Sequence, residues 1–216
     1  MKREELVIKV CGMREADNIR EVEALGIDWL GLIFWPKSSR YVSERPDHLP
    51  QHVKRVGVFV DEVPETVLHL CHLYSLDCLQ LHGHESVAYI DQLHHLIANQ
   101  GDSILPPQLI KAFSIATKDD LEQTKSYEGL VDYFLFDTKG PSVGGNGVQF
   151  DWDVLKDYHG STPFLLSGGI GPDDAQRIHA FHHPQCIGID LNSRFELSPG
   201  LKDITVLRKF LNELFR

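Results

Sequence analysis

The chain has 216 residues, enough to bury one sizeable core, and we predict a single domain over residues 1–216. Acidic residues outnumber basic ones by 31 to 21, and the net charge of −10 argues against nucleic acid as a partner. No apolar stretch approaches the roughly 18 residues that a membrane span needs, and the opening MKREELVIKV lacks the apolar core of a signal peptide, so we expect a cytoplasmic protein with no membrane partner.

Eight short apolar runs, rich in β-branched residues, recur along the chain with helix-like segments between them. This alternation is typical of βα units that build a parallel sheet. We predict strands at 7–11, 28–34, 55–60, 78–82, 109–113, 132–137, 163–167 and 186–191. Because eight strands close an α/β barrel, the predicted fold is a single (β/α)8 TIM barrel.

Amphipathic or capped segments lie between several of these strands. We predict helices at 16–26, at 64–76 beginning with Pro64, at 86–100 beginning near Ser86, and at 203–215 with Asp203 as the N-cap. Two other segments favour helix less strongly. We expect an abbreviated helix at 43–52, which holds two prolines, and another at 151–159, which is short.

A thiol and a carboxyl stand at the ends of two predicted strands. Cys11 closes VIKVC and Asp137 closes DYFLFD. The carboxyl ends of barrel strands open onto the active site, so these two side chains are candidates for an acid/base pair, and Asp190 on strand eight is nearly as well placed. Lys9, on the same strand face as Cys11, could favour the thiolate. The structural alternatives are a buried small hydrophobe at Cys11 and a turn-capping carboxylate at Asp137.

Glycine and small polar residues follow the last two predicted strands. Gly168 and Gly169 come after strand seven, and Asn192 and Ser193 come after strand eight. Barrels often bind phosphate with these two loops, where glycine lets the backbone approach an anion closely. The alternative is a pair of tight turns. Arg40, after strand two, is a candidate for bidentate binding of a substrate carboxylate, or else an arginine in solvent.

The remaining sequence signals concern one loop and the metal-ligating residue types. KGPSVGGNGVQF, at 139–150, is a long glycine-rich stretch after strand six and is predicted to be an active-site loop. The four cysteines form no CxxC pair, and the paired histidines have no carboxylate or cysteine at ligand spacing. We therefore predict reduced thiols and no metal site.

Taken together, these segments resemble the phosphoribosylanthranilate isomerase family of tryptophan biosynthesis. The similarity spans nearly the whole chain, and it rests on an ordered set of motifs: KVCGMREADN, GLIFWPKSSRYVS, VGVFVDE, LQLHG, FLFDTKG with GGNG and FDW, LLSGGI, and IDLNSRFELSPGLKD. Any one of these motifs is weakly specific, but their order is highly specific.

The resemblance implies an Amadori rearrangement of N-(5-phosphoribosyl)anthranilate to 1-(2-carboxyphenylamino)-1-deoxyribulose 5-phosphate, with neither metal nor organic cofactor. Asp137 matches the general acid and Cys11 the general base of the family. Further positions match substrate-binding residues: Arg40 for the anthranilate carboxylate, His82 and Asp190 along the site, and Gly168, Gly169, Asn192 and Ser193 for the phosphate. The expected partner is therefore a small phosphorylated molecule, and the chain is expected to be a monomer or homodimer.

Two departures from the family pattern stand near these residues. Arg194 replaces a usual glycine in the phosphate loop, so either the backbone there needs no positive φ or the arginine adds charge to the phosphate site. Ser39 replaces the proline that usually precedes Arg40, which could loosen that loop. Rival readings are a ribulose-phosphate epimerase, an indoleglycerol-phosphate synthase, or a barrel that only binds a phosphorylated metabolite.

Overall fold

The computed structural model describes residues 6–99, 105–138 and 152–216, and its strands confirm the predicted barrel. Eight parallel strands pair in chain order and close on themselves. They are β1 (Val7–Val10), β2 (Trp29–Ile33), β3 (Lys54–Phe59), β4 (Cys78–Leu81), β5 (Gln108–Ile115), β6 (Tyr133–Thr138), β7 (Phe164–Ser167) and β8 (Cys186–Leu191). Each observed strand lies within two residues of its predicted bounds, because short β-branched runs between helices have few alternatives to a buried parallel strand.

Closure of the barrel places the first strand beside the last. β1 pairs with β8 in a register that sets Lys9 opposite Asp190. Side chains alternate between the barrel interior and the outer layer, so Lys9 and Cys11 share the interior face. The closure thus brings residues from the two ends of the sequence into one site.

Helices cover the outside of the barrel. They are α1 (Ala16–Glu23), α2 (Pro64–Tyr74), α3 (Val87–Ala98), α4 (Ala175–Ala180) and α5 (Ile204–Leu214), with 3-10 helices at Lys118–Tyr127 and Trp152–Asp157. The short helix predicted at 151–159 is confirmed for its described part. Ser86 caps α3 by accepting a hydrogen bond from the backbone N–H of Tyr89. No helix among the described residues has the length and apolarity to cross a membrane.

The prediction of a helix at 43–52 is wrong. These residues form bends without a helix. Pro46 and Pro50 lack backbone N–H donors and push the residues before them out of helical conformation, which leaves no room for a turn between them. The Glu23 carboxylate accepts instead from the backbone N–H groups of Gln51 and His52, at 2.7 and 2.6 Å, and holds the segment against α1.

The barrel interior is apolar at one end and polar at the other. Near the amino ends of the strands it is filled by a cluster of buried residues: Trp29, Val56, Cys78, Ile110, Ala112, Leu135 and Leu165. Toward the carboxyl ends the buried interior side chains become polar and include Lys9, Gln80, Ser167 and Asp190. Buried polar groups cost free energy unless they are paired, so their concentration at this end marks the functional side of the barrel.

A small antiparallel hairpin follows the last barrel strand. After a 3-10 turn at Ser193–Phe195, β9 (Glu196–Ser198) pairs with β10 (Leu201–Lys202). The Asn18 side chain fixes β10 to α1 by accepting from the Lys202 N–H at 2.7 Å and donating to the Lys202 carbonyl at 3.0 Å. The hairpin, which was not predicted, carries two charged residues toward the polar end of the barrel.

The N-cap of α5 provides a test of local stability. The Asp203 carboxylate accepts from the backbone N–H groups of Thr205 and Val206, each at 3.0 Å. We expect Asp203→Ala to lower the free energy of unfolding by about 1 kcal/mol, because both donors lose their partner. Denaturant titration measures the change, and Asp203→Asn, which keeps one acceptor oxygen, should lose less. Equal stability of the alanine variant and the parent would contradict the capping role.

Candidate active site

A cavity of about 440 Å³ opens at the carboxyl ends of the strands. All nine residues that the sequence singles out line it: Cys11, Arg40, His82, Asp137, Gly168, Gly169, Asp190, Asn192 and Ser193. They come from the ends of six strands and the loops that follow them, so only barrel closure assembles them. The predicted loop at 139–150 lies outside the described residues.

Cys11 lies at the floor of the cavity beside a buried ion pair. Lys9 Nζ donates to Asp190 Oδ1 at 2.8 Å and also hydrogen-bonds the Cys11 thiol. Burial works against the ammonium, but Asp190 and Cys11 outweigh it and raise the pKa of Lys9 above its ordinary value. Ser167 also donates to the second oxygen of Asp190, at 3.3 Å. Lys9 therefore stays a cation in contact with the thiol.

The thiol itself is held mainly in its neutral form in the free protein. Burial raises the pKa of Cys11, and the negative charge of Asp190 adds to this, whereas the cations Lys9 and Lys202 lower it; the net direction is upward. Lys9 thus acts in the direction that the sequence predicted, but desolvation is larger. Additional positive charge beside Cys11 would therefore favour the thiolate.

Asp137 approaches the cavity from β6, opposite the β1 strand that ends at Cys11. Its carboxylate Oδ2 lies 3.8 Å from His82 Nε2, and both side chains are partly exposed to the cavity. A carboxyl in this position can reach a bound ligand while His82 stands beside it. The structure thus brings the predicted acid and base to the same chamber.

The loops after β7 and β8 form one wall of the cavity. Gly168 and Gly169 have φ values of 94° and 69°, which residues with a Cβ rarely adopt, and they leave the backbone exposed toward the cavity. Ser193 begins the 3-10 turn on the adjacent loop. This wall has the backbone form of an anion site.

The structure decides one of the two alternatives for Arg194. Among the described non-glycine residues, positive φ occurs only at Asp61 and Ser75, so the position of Arg194 does not require glycine. Its side chain is exposed and runs beside Gly171. The loop with Ser39 is fastened by Arg14, whose Nη1 donates to the Ser39 carbonyl at 3.1 Å.

Arg40 is held by a buried carboxylate that the sequence did not single out. Its Nε donates to Glu196 at 2.9 Å and its Nη2 at 2.6 Å, which occupies one edge of the guanidinium and leaves Nη1 for a ligand. Lys202 Nζ shares this carboxylate at 2.6 Å and donates to Asn192 Oδ1 at 2.9 Å. Burial opposes ionisation of Glu196, but its hydrogen bonds with Arg40 and Lys202 lower its pKa. Two cations and one anion leave a net positive charge here.

Gly12 allows this network to approach Cys11. It has a φ of 78°, and a Cβ at this position would come within 2.6 Å of Arg40 Cδ and 2.8 Å of Asn192 Oδ1. Any larger residue would therefore displace Arg40 or Asn192. The glycine that follows Cys11 thus ties the position of the thiol to the side chains of Arg40 and Asn192.

Three further polar residues of the site were missed by sequence reasoning. Gln80 lies inside β4, and Glu196 and Lys202 lie in the hairpin after β8. The alternation of β4 could have identified Gln80, since it shares the interior face with His82. No local pattern signals Glu196 or Lys202, because their partners are distant in sequence.

The fold and the site define a (β/α)8-barrel enzyme with a thiol and a carboxyl at its mouth. The profile of the N-(5'-phosphoribosyl)anthranilate isomerase family matches residues 8–213. The chain belongs to this family.

Comparison with individual proteins agrees with this assignment. The chain is 50% identical over 215 residues to an N-(5'-phosphoribosyl)anthranilate isomerase of Parabacteroides distasonis. The aligned region covers 97% of this chain and 93% of the relative. For the Phocaeicola vulgatus protein of the same name, the identity is 47% and the coverage 97% and 98%.

Solved structures of the family share the fold. The isomerase from Thermotoga maritima superposes with a TM-score of 0.76 at 29% identity, covering 97% of this chain and 98% of that one. A complex of a phosphoribosylanthranilate isomerase with reduced 1-(o-carboxyphenylamino)-1-deoxyribulose 5-phosphate gives 0.75 at 26% identity, with the same coverage.

Proposed function

We propose that the chain catalyses the isomerisation of N-(5-phosphoribosyl)anthranilate to 1-(2-carboxyphenylamino)-1-deoxyribulose 5-phosphate, with Asp137 as general acid and Cys11 as general base. The observation that carries this assignment of roles is that the two side chains line one substrate-sized cavity together with the glycine loops. The proposed steps are proton transfers and use neither a metal nor an organic cofactor.

Asp137 starts the reaction in this scheme. Its carboxyl gives a proton to the furanose ring oxygen, the bond from that oxygen to C1 breaks, and the anilino nitrogen supplies the electron pair that forms the iminium. His82, next to Asp137, supplies a polar surface on the same side of the cavity. The ring-opened cation then has an acidified hydrogen on C2.

Cys11 takes the C2 proton from this cation. The iminium adds positive charge beside the thiol and joins Lys9 and Lys202, whose charges already lower the pKa of Cys11. The thiol proton passes to water at the cavity mouth, and the thiolate that this charge stabilises accepts the C2 proton after ring opening. The resulting enolamine takes a proton at C1 from the Cys11 thiol and returns its C2-hydroxyl proton to the Asp137 carboxylate, which leaves the ketone and restores both groups.

The two ends of the substrate carry negative charge that the site can hold. We assign the phosphate to the backbone of Gly168 and Gly169 with Asn192 and Ser193, and the anthranilate carboxylate to Arg40. Asp190 is placed to accept from a sugar hydroxyl while it pairs with Lys9. Anchoring both ends fixes C1 and C2 between acid and base.

A fluorescence assay tests this function. Freshly generated phosphoribosylanthranilate loses its fluorescence when the isomerase converts it, so the purified chain should accelerate that loss well above the spontaneous rate. Absence of turnover with retained phosphate-ester binding would favour the binding-only barrel. Turnover of ribulose phosphate or of the rearranged product instead would favour the epimerase or the synthase.

Arg40→Ala is expected to raise KM by about tenfold or more and to change kcat less, because a charge-assisted pair with the substrate carboxylate is lost. Arg40→Lys keeps the positive charge but not the two parallel N–H donors of the guanidinium, so its KM should lie between those of the parent and of Arg40→Ala. Steady-state kinetics measure both parameters. Arg20→Ala, an exposed arginine on α1, is the control. If neither KM nor kcat moves in Arg40→Ala, the clamp assignment is wrong.

We also propose a cellular compartment and an oligomeric state for the chain. The chain is proposed to act in the cytoplasm, and to be a monomer or homodimer. One solved relative, from Thermotoga maritima, is described as dimeric and was also obtained as monomers. Sedimentation of the purified chain would distinguish the two states.

A further inference from the structure

Gln80 has an unsatisfied polar atom inside the active-site cavity. The residue lies in the middle of β4, is 1% exposed and lines the cavity. Among the described residues, three buried side-chain atoms have no hydrogen-bond partner: His48 Nε2, Trp152 Nε1 and Gln80 Oε1. Of these three residues, only Gln80 belongs to the cavity lining. A buried amide oxygen without a partner costs free energy, which a ligand that donates to it would recover.

The other end of the same amide is already occupied. Gln80 Nε2 lies 2.7 Å from His82 Nδ1, and an amide NH2 group can only donate. His82 Nδ1 must then be the acceptor, which leaves the proton of the neutral ring on Nε2. This nitrogen is the one that faces Asp137 Oδ2 at 3.8 Å.

We propose that Gln80 is a positioning and substrate-binding residue of this site: its Nε2 holds His82 as the neutral tautomer with Nε2–H toward Asp137, and its Oε1 accepts a hydrogen bond from an O–H or N–H group of the bound substrate. The substrate part of this inference rests on the proposed function. The tautomer part does not, because it concerns the free protein.

Two consequences for the site follow. His82 presents a fixed donor next to the proposed acid, so it stabilises negative charge on Asp137 or on an oxygen of the ligand there. Protonation of His82 at Nδ1 would break its bond with Gln80, so the ring serves as a donor and not as a second proton source. Gln80 thereby organises the acid side of the cavity from the barrel floor.

Nitrogen-15 NMR of histidine-labelled protein tests the tautomer directly. The two ring nitrogens of His82 have distinct shifts when one carries the proton and the other is bare, and the His82→Asn variant identifies the signals. The free wild-type protein should show a bare Nδ1 and a protonated Nε2. A protonated Nδ1 in the wild type overturns the proposal.

Two substitutions at Gln80 sharpen this test. Gln80→Glu keeps the shape but replaces the donor with an acceptor, so His82 Nδ1 should become protonated. Gln80→Met removes both functions, so His82 should show mixed tautomers. Gln108→Met, on β5 at the opposite end of the barrel, is the matched control and should leave the His82 signals unchanged. Unchanged His82 signals in both Gln80 variants overturn the proposal.

Binding of reduced 1-(o-carboxyphenylamino)-1-deoxyribulose 5-phosphate tests the proposed hydrogen bond from the substrate to Gln80 Oε1. Gln80→Met should weaken binding by about tenfold, measured by calorimetry, whereas Gln108→Met should bind like the parent. Equal affinity of Gln80→Met and the parent overturns the role of Oε1. If the wild type neither turns over substrate nor binds this ligand, the proposed function fails, while the NMR result still decides the tautomer. If Gln80→Met does not fold, the NMR spectra of Gln80→Glu and of the wild type decide the tautomer of His82.

Discussion

Asp137→Asn is expected to lower kcat by about 10²-fold or more while the affinity for reduced product changes little. Asparagine has nearly the same shape as aspartate and can still hydrogen-bond, but it has no acidic proton to deliver to the ring oxygen. General acid catalysis contributes roughly 10² to 10⁴ in rate, and the other carboxyl among the described lining residues, Asp190, is paired with Lys9. Because only the transition state uses the proton, kcat and kcat/KM should fall together.

The measurement is the fluorescence assay with freshly generated substrate, combined with calorimetry of the reduced product. Asp132→Asn is a matched control, since Asp132 immediately precedes β6 at the end of the barrel away from the cavity. Its carboxylate accepts a hydrogen bond from the Leu109 N–H on the neighbouring strand. That variant should retain the parental kcat. An unchanged kcat in Asp137→Asn would remove this residue from the mechanism.

Cys11→Ser is expected to lower kcat by a similar factor, about 10²-fold or more. Serine is close to cysteine in size, but its hydroxyl gives up a proton far less readily. Even with the positive charges of Lys9 and Lys202 nearby, the serine hydroxyl therefore cannot act as a base at this position. Cys186→Ser is the control. It lies at the start of β8, on the opposite rim, where its Sγ donates to the Gly188 carbonyl and a hydroxyl can do the same. Near-parental turnover in Cys11→Ser would indicate that another group removes the C2 proton.

Alkylation of Cys11 by iodoacetamide follows its ionisation in the free protein. The pKa of Cys11 lies above the ordinary value of 9.0, chiefly because the thiol is buried. A raised pKa means that the thiolate is scarce at neutral pH, so the alkylation rate should keep rising as the pH increases through 9. Lys9→Met should slow alkylation further, since it removes a charge that lowers this pKa. A rate that levels off near neutral pH would contradict the conclusion that burial outweighs the nearby positive charges at Cys11.

The fold could be read from the sequence because its signals are local. Each strand is a short apolar run, and its neighbour along the chain is also its neighbour in the barrel. The caps at Ser86 and Asp203 were likewise readable, because a cap and its donors lie within three residues. The abbreviated helix expected at 43–52 is absent, because two prolines four residues apart exclude even a short helix there.

The site could be predicted where residues stand at strand ends or in the loops that follow them. Cys11, Asp137 and Asp190 occupy strand ends, so the rule for barrel mouths places them on one side without knowledge of their contacts, whereas His82 was expected from the family resemblance. Contacts across the closed barrel could not be predicted. Lys9 and Asp190 are 181 positions apart, and Arg40 and Glu196 are 156 apart, so no sequence period connects them.

The net direction of the Cys11 pKa shift could not be predicted from the sequence either. The proximity of Lys9 to Cys11 was readable from strand alternation, but its effect depends on how completely the thiol is buried. Gln80 illustrates the same limit. A glutamine within an apolar strand gives no indication whether its amide is satisfied, and only the packed interior shows one end bonded to His82 and the other open.

A crystal structure of the protein with reduced 1-(o-carboxyphenylamino)-1-deoxyribulose 5-phosphate tests the central claim most directly. Both proposed proton-transfer groups must reach one ligand molecule. We predict Cys11 Sγ within contact distance of C2 and an Asp137 carboxylate oxygen within hydrogen-bond distance of the O4 hydroxyl, which derives from the ring oxygen. A ligand that lies in the cavity without touching one of these two side chains would contradict the proposed mechanism.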